Sequence, residues 1–209
     1  MAVIHHTSLT PSKLELVEAW LPSRQWYRGS APRLSRAGGF RLDDADGAVG
    51  IEFMLLIDDS ALGPVLYHVP LTYRDAPLPG ADSALLGTAE HGVLGQRWVY
   101  DGTRDPVAVA AVADLLAGKV AAQSQSHSDT DDSTVVVNHT DLQFSNTAPG
   151  ATVDGDTCTD HTELSPAVIL RFHRLPVGPL PDVRGSVAAP YVINGLERSI
   201  VELVSVVSR

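Results

Sequence analysis

A single cysteine, Cys158, in 209 residues excludes an internal disulfide framework and a cysteine-rich zinc site. No apolar run approaches the roughly 20 residues that a membrane-crossing helix needs. The opening M-A-V-I-H-H-T-S has neither the cationic start nor the apolar stretch of a secretory signal. These absences predict a cytoplasmic protein with no membrane partner. Lysine and arginine total only 15 against 25 acidic residues, a net charge of −10, so a clustered cationic surface for nucleic acid is not expected. Histidines are present, eight of them, but no H-x-x-x-H or H-E-x-x-H spacing occurs among them, which argues against a metal centre built on one helix face.

What remains has ordinary globular composition, 44% apolar and 19% charged, in a chain long enough to bury a sizeable core. Its charge is unevenly placed. Residues 1–41 hold six cations (Lys13, Arg24, Arg28, Arg33, Arg36 and Arg41) against Glu15 and Glu18. Between Val120 and Leu170 there are eight acidic residues and no lysine or arginine. The two regions are suited to attract one another.

Leu14, Val17 and Leu21 recur at helical spacing, and Thr10-Pro11 resembles an N-cap followed by a first-turn proline, so a helix is predicted over Pro11–Trp20, closed by Pro22. A hairpin follows, its turn at Asp43–Gly47 and its second strand at G-I-E-F-M-L-L-I. Further strands are predicted at Ile4–Leu9, Val65–Tyr73 and Arg97–Tyr100. The clearest helix runs from Asp105-Pro106 to Gly118. Residues 121–134 read as an acidic, polar linker or loop, with short strands at 135–137, 142–144 and 167–173 beyond it. Pro176–Pro190 is too rich in proline and glycine for regular structure, and Gly195–Val204 reads equally as a last strand or a short amphipathic helix.

Several constellations invite chemistry. Asp43-Asp44, Asp58-Asp59 and Asp131-Asp132 pair carboxylates, but in turn-like sequence. Ser8, Ser83 and Ser145 lack a G-x-S-x-G context, and Cys158 sits among acids that disfavour its thiolate. The densest cluster is Leu21–Ser30, L-P-S-R-Q-W-Y-R-G-S, where Arg24, Trp26, Tyr27 and Arg28 could stack on a sugar or dock a partner. The competing reading is a structural corner with Trp26 in the core.

At Leu21-Pro22, Arg24, Trp26-Tyr27 and Gly29 the chain resembles the N-terminal cap of actinobacterial maltokinases and related aminosugar kinases, which carry an L-P-x-x-R-W-F/Y-x-G-K signature. Arg24 and Gln25 stand in swapped order, and the lysine is Ser30. The likeness continues through Gly50–Phe53, Val69–Tyr73, His91–Gly95 and Val99–Pro106. It implies an α+β fold: a curved antiparallel β-sheet packed by a few helices, then a small β-rich segment resembling part of a kinase N-lobe. The implied division is a cap-like domain at 1–120, a linker at 121–134 and a degenerate N-lobe-like segment at 135–209.

In that family a polar loop covers the ATP phosphates and a strand supplies a phosphate-binding lysine. The likeness sets Ser145, Asn146 and Thr147 at the loop and Arg171 at the lysine. The carboxylates that would hold Mg²⁺ and accept a proton in phosphoryl transfer have no counterpart in this sequence, so a non-catalytic protein needing no cofactor is expected. Its implied setting is maltose, trehalose or α-glucan metabolism. Its expected partner is an enzyme of that metabolism, a second copy or a saccharide. The alternative is an N-lobe that binds Mg-ATP and is completed in trans.

Overall fold

The computed structural model describes residues 9–125, 130–140, 152–154, 158–193, 195 and 197–209. The elements are β1 (Leu9–Thr10), α1 (Lys13–Trp20), a 3-10 turn at Leu21–Ser23, β2 (Leu34–Asp43), β3 (Gly50–Asp58), β4 (Val65–Arg74), β5 (Leu85–His91) and β6 (Gly95–Asp101). Further 3-10 turns lie at Asp82–Ala84, before β5, and at Gly102–Arg104, which leads into α2 (Pro106–Leu116). Then come β7 (Val136–Asn138), β8 (Val153–Asp154), β9 (Thr159–Ser165), β10 (Val168–Val177), β11 (Gly185–Ile193) and β12 (Glu197–Ser208). The fold is α+β, a curved and unclosed antiparallel sheet with two short helices. Its strand order is β1-β5-β6-β4-β3-β2-β11-β12-β10-β9-β8, with β7 on the flank of β11.

The sheet passes through both sides of the expected boundary at 121–134 without a break. Strand β2 meets β11 at one rung, Gly38 opposite Tyr191. The Ala37-Gly38-Gly39 run makes this approach feasible: a Cβ on Gly38 would lie 2.6 Å from Pro190 O. The sheet then curls until β10 lies beside β4, where His68 Nδ1 donates to His173 O at 3.2 Å. That carbonyl requires the Nδ1–H tautomer, leaving Nε2 of this fully buried ring bare and without a partner among the described residues. Burial pushes the His68 pKa down to about 3.

Strand β3 explains its own composition. Ile51, Phe53, Leu55 and Ile57 face the inside of the curl, against Val109, Val112 and Leu116 of α2 and Leu170, Phe172, Leu203 and Val204 of the far strands. Met54 and Leu56 face outward and meet Val17, Trp20 and Trp26. A strand covered on both sides reads as a continuous apolar run rather than an alternating one.

Two local expectations are corrected. The first helix begins at Lys13, not Pro11: Ser12 and Glu15 form a reciprocal capping box, with Glu15 N to Ser12 Oγ 3.3 Å and Ser12 N to Glu15 Oε2 2.7 Å. The stretch 176–190 contains the start of β11; Pro190 is tolerated because beyond it β11 has only the Tyr191 rung on its β2 flank. The 121–134 segment is tethered, since Gln123 bridges to both Arg41 and Asp131, and Ala122 is buried. The chain end resolves as strand β12. Predicted strands at 4–9 and 142–144 lie, apart from Leu9, outside the described residues.

Candidate functional site

Helix α1 ends by tightening into the Leu21–Ser23 turn, where Pro22 cannot continue the α-helical ladder. Ser23 Oγ donates to Trp20 O at 2.7 Å and accepts from Arg24 Nη2 at 2.8 Å, holding the Arg24 guanidinium 4.8 Å above the Trp20 ring. Trp26 then turns inward. It is 6% exposed, edge-on to Trp20 at 5.7 Å and tilted on Tyr67 at 5.8 Å, with the Arg174 guanidinium 5.0 Å from its ring centre. Trp26 therefore offers no stacking surface. Tyr27 is half-buried, its OH 3.2 Å from Ser60 Oγ, which in turn donates to Asp58. Arg28 is exposed and donates to Cys158 Sγ at 3.4 Å, a contact with the cation-free segment. Of the four predicted surface residues, Arg24, Tyr27 and Arg28 remain accessible in part.

The corner leads to a polar junction that sequence reasoning missed. Arg174 of β10 is fully buried; Nε and Nη2 donate to Asp160 Oδ2 at 2.9 and 2.6 Å, and Nη2 also reaches Asp101 Oδ2 and Thr103 Oγ1. Thr152 Oγ1 lies 2.5 Å from both Thr103 O and Thr162 Oγ1, tying β8 and β9 to the same turn. Burial opposes the Arg174 charge, but Asp101 and Asp160 outweigh it and raise its pKa further. The next acid along, Asp105, caps α2 through Val107 N at 3.0 Å and takes Arg74 in a two-pronged pair at 2.7 Å on each prong. The sequence D-G-T-R-D is thus consumed in joining the first six strands to α2 and to β9–β10. An arginine inside an apolar strand was visible in the sequence; its partners, from three distant segments, were not.

On the outer side of β3, Glu52 is 2% exposed. It accepts from Lys13 Nζ at 2.5 Å, Tyr73 OH at 2.9 Å, Gln125 Nε2 at 3.0 Å and Arg36 Nη2 at 3.3 Å. Burial alone would raise its carboxyl, but Lys13, Arg36 and Tyr73 together hold it below the usual carboxylate range. Ser205 and His173 stand 2.9 Å apart on neighbouring strands, the separation of a nucleophile and its base. Both are buried within the sheet, Ser205 completely, so the pair is a cross-strand bond without substrate access. A pocket of roughly 680 Å³ opens between the end of α2 and residues 130–139, lined by Leu115, Lys119, Asp131, Asp132 and His139. Its Asp132 is engaged by Thr134, and among the described residues no group of three metal-ligating side chains occurs.

Arg171, the residue set at the phosphate-lysine position, lies on β10 opposite Ser205 and His161, half-buried, with Nε lacking a partner among the described residues. Ser145, Asn146 and Thr147 lie outside the described residues, so their relation to Arg171 is not defined. Among the described residues no helix is long and apolar enough to cross a membrane.

No curated protein matches the chain. Residues 20–105, from Trp20 at the end of α1 to the Asp105 cap of α2, match the family model of the maltokinase N-terminal cap domain, and this stretch resembles that cap.

Proposed function

We propose that the chain is a non-catalytic, cap-type binding protein of maltose, trehalose or α-glucan metabolism, acting as an assembly or regulatory partner of an enzyme there. The observation that carries this reading is the cap match over residues 20–105. Four buried polar side chains of that stretch are taken up in structure: Asp101, Thr103 and Asp105 by the Arg174 junction and α2, Glu52 by its four donors. What such a cap leaves for recognition is its surface, including Arg24, Tyr27 and Arg28. Affinity capture of the full chain from a lysate of its native host tests this. Retention of a maltose-, trehalose- or glucan-converting enzyme above a control bait is expected, and the absence of any such enzyme overturns the proposal.

One observation favours a second reading, an ATP-binding N-lobe completed in trans: Arg171 Nε, without a partner among the described residues, is a donor suited to an anion. Calorimetric titration with Mg-ATP decides it. Heat that disappears in Arg171→Ala supports nucleotide binding, and no heat with the unaltered protein removes it.

A further inference from the structure

The seam between β4 and β10 is built differently from the rest of the sheet. Strand β4 is laddered to β3 from Val65 to Tyr73, but to β6 only from Leu71 to Arg74. Strand β10 is laddered to β12 as far as Phe172 and again at Val177, so His173 to Pro176 lie between the two stretches. Among the described residues no ladder joins β4 to β10. The two strands meet where each has left a ladder, and there His68 Nδ1 donates to His173 O at 3.2 Å.

The surroundings of His68 are closed to a second charge. The ring stacks on Phe53 at 5.9 Å, its cross-strand neighbour on β3 is Leu55, and the residues two places away along β4 are Leu66 and Pro70, so neither strand offers it a carboxylate. From β10 it faces the His173 imidazole and the Arg174 guanidinium, both of which oppose a proton there. The carboxylates paired with that guanidinium, Asp101 of β6 and Asp160 of β9, accept from Arg174 itself. With Nδ1–H given to His173 O, a proton on Nε2 would be a second donor where no acceptor stands among the described residues. The pKa of the closed-in ring accordingly lies at about 3, against about 6.5 for an imidazole in water. Any movement that admits water to Nε2 therefore favours uptake of a proton, and parting β4 from β10 breaks least, because no ladder is lost. We infer that His68 is an acid-released latch: as pH falls below neutrality, protonation of its bare nitrogen parts β4 from β10 and wets the Phe53 side of the curl, while the β3–β4 and β10–β12 ladders and the Gly38–Tyr191 rung stay joined. The latch does not depend on the binding role proposed above.

The sign follows from the two values: the closed seam is favoured above about pH 6.5, and the open fraction grows as pH falls from there towards 3, by about 25-fold between pH 7 and pH 5. Residue-resolved amide hydrogen exchange of the full chain tests this, with rates corrected for the intrinsic effect of pH. Amides of residues 66–70 and 172–175 should exchange through an opening that is indifferent to low urea and whose population shows that rise, whereas exchange inside α2 should follow urea-dependent global unfolding. His68→Gln keeps a donor for His173 O but takes up no proton, and should cut the rise to less than threefold. The inference is overturned if the seam amides share the urea dependence of α2, if their pH response is missing in the unaltered protein, or if it persists in the variant. Should His68→Gln not fold, the ring-nitrogen shifts of His68 in the unaltered protein take its place: a neutral ring with its proton on Nδ1 at pH 5 supports the latch, and a ring titrating near 6.5 overturns it.

Discussion

Replacing Trp26 by alanine separates the two readings of the Leu21–Ser30 corner. The indole is 6% exposed and touches Trp20, Tyr67 and the Arg174 guanidinium, so the substitution removes a large buried aromatic and uncovers one side of a buried ion cluster. Truncating a buried tryptophan to alanine costs about 3–5 kcal/mol, the spread reflecting how far the site collapses. Collapse here is restrained on two sides, by α1 through Trp20 and by β4 through Tyr67, which favours the upper half of that range. For a chain of this length about 1 kcal/mol moves the melting temperature by roughly 2–4 °C, so a drop of about 8–20 °C is expected in a calorimetric or circular-dichroism melt. Trp26→Phe, which keeps most of the ring, should lose less than half as much. A melting temperature unchanged within about 1 °C would refute the packing argument and restore the indole as a surface anchor.

Arg174→Met should destabilise by about 3–5 kcal/mol in denaturant titration, because Asp101 and Asp160 are left as uncompensated buried charges. Adding Asp160→Asn should recover part of that loss; no recovery would contradict the shared-charge reading. His68 makes the fold acid-sensitive. Its folded pKa of about 3 lies below the ordinary 6.5, so the unfolded chain takes up the proton first and stability should fall by up to roughly 1.4 kcal/mol per pH unit below about 6.5. His68→Gln should flatten that part of a stability-against-pH curve, and an unchanged slope would count against it. Lys13→Met should cost about 1–2 kcal/mol at neutral pH by weakening the hold on Glu52. Because the Glu52 carboxyl is depressed, its stabilisation is present above the ordinary pKa of 4.5 and lost on acidification, so the gap between variant and parent should close below about pH 4.

The parts of this fold that local chemistry dictates were legible in advance. The proline and aspartate at 105–106 set the start of α2, the turn at Asp43–Gly47 separated β2 from β3, and the apolar run of β3 announced burial. Where two local signals competed, the less obvious one prevailed: Thr10-Pro11 resembles a helix start, yet Ser12 and Glu15 satisfy each other's backbone donors and fix the start two residues later. What no local pattern encodes is which strands become neighbours. Proline and glycine in 176–190 spoke against regular structure, and only the edge-like place of Pro190 beside a single rung makes a strand possible there. The same limit applies to the candidate sites. Trp26, Arg24 and Arg28 stood out by composition, whereas Arg174 and His68 acquire meaning only from partners brought from other strands.

The thin seams between the early and late strands carry a kinetic consequence. His68 meets His173 across 105 residues of chain and Arg28 meets Cys158 across 130, so the curl closes only after β10 to β12 have been made and docked. Contacts this distant in sequence are reached late and slowly, since loop-closure entropy is spent before they give anything back. Until then the inner faces of β2 and β3 stay wet, and during synthesis the nascent chain exposes the phenylalanine pair Phe40 and Phe53, stacked at 4.7 Å in the finished fold, as an adhesive surface. The early and late strands are thus expected to fold together, and the chain should unfold in one transition and not two.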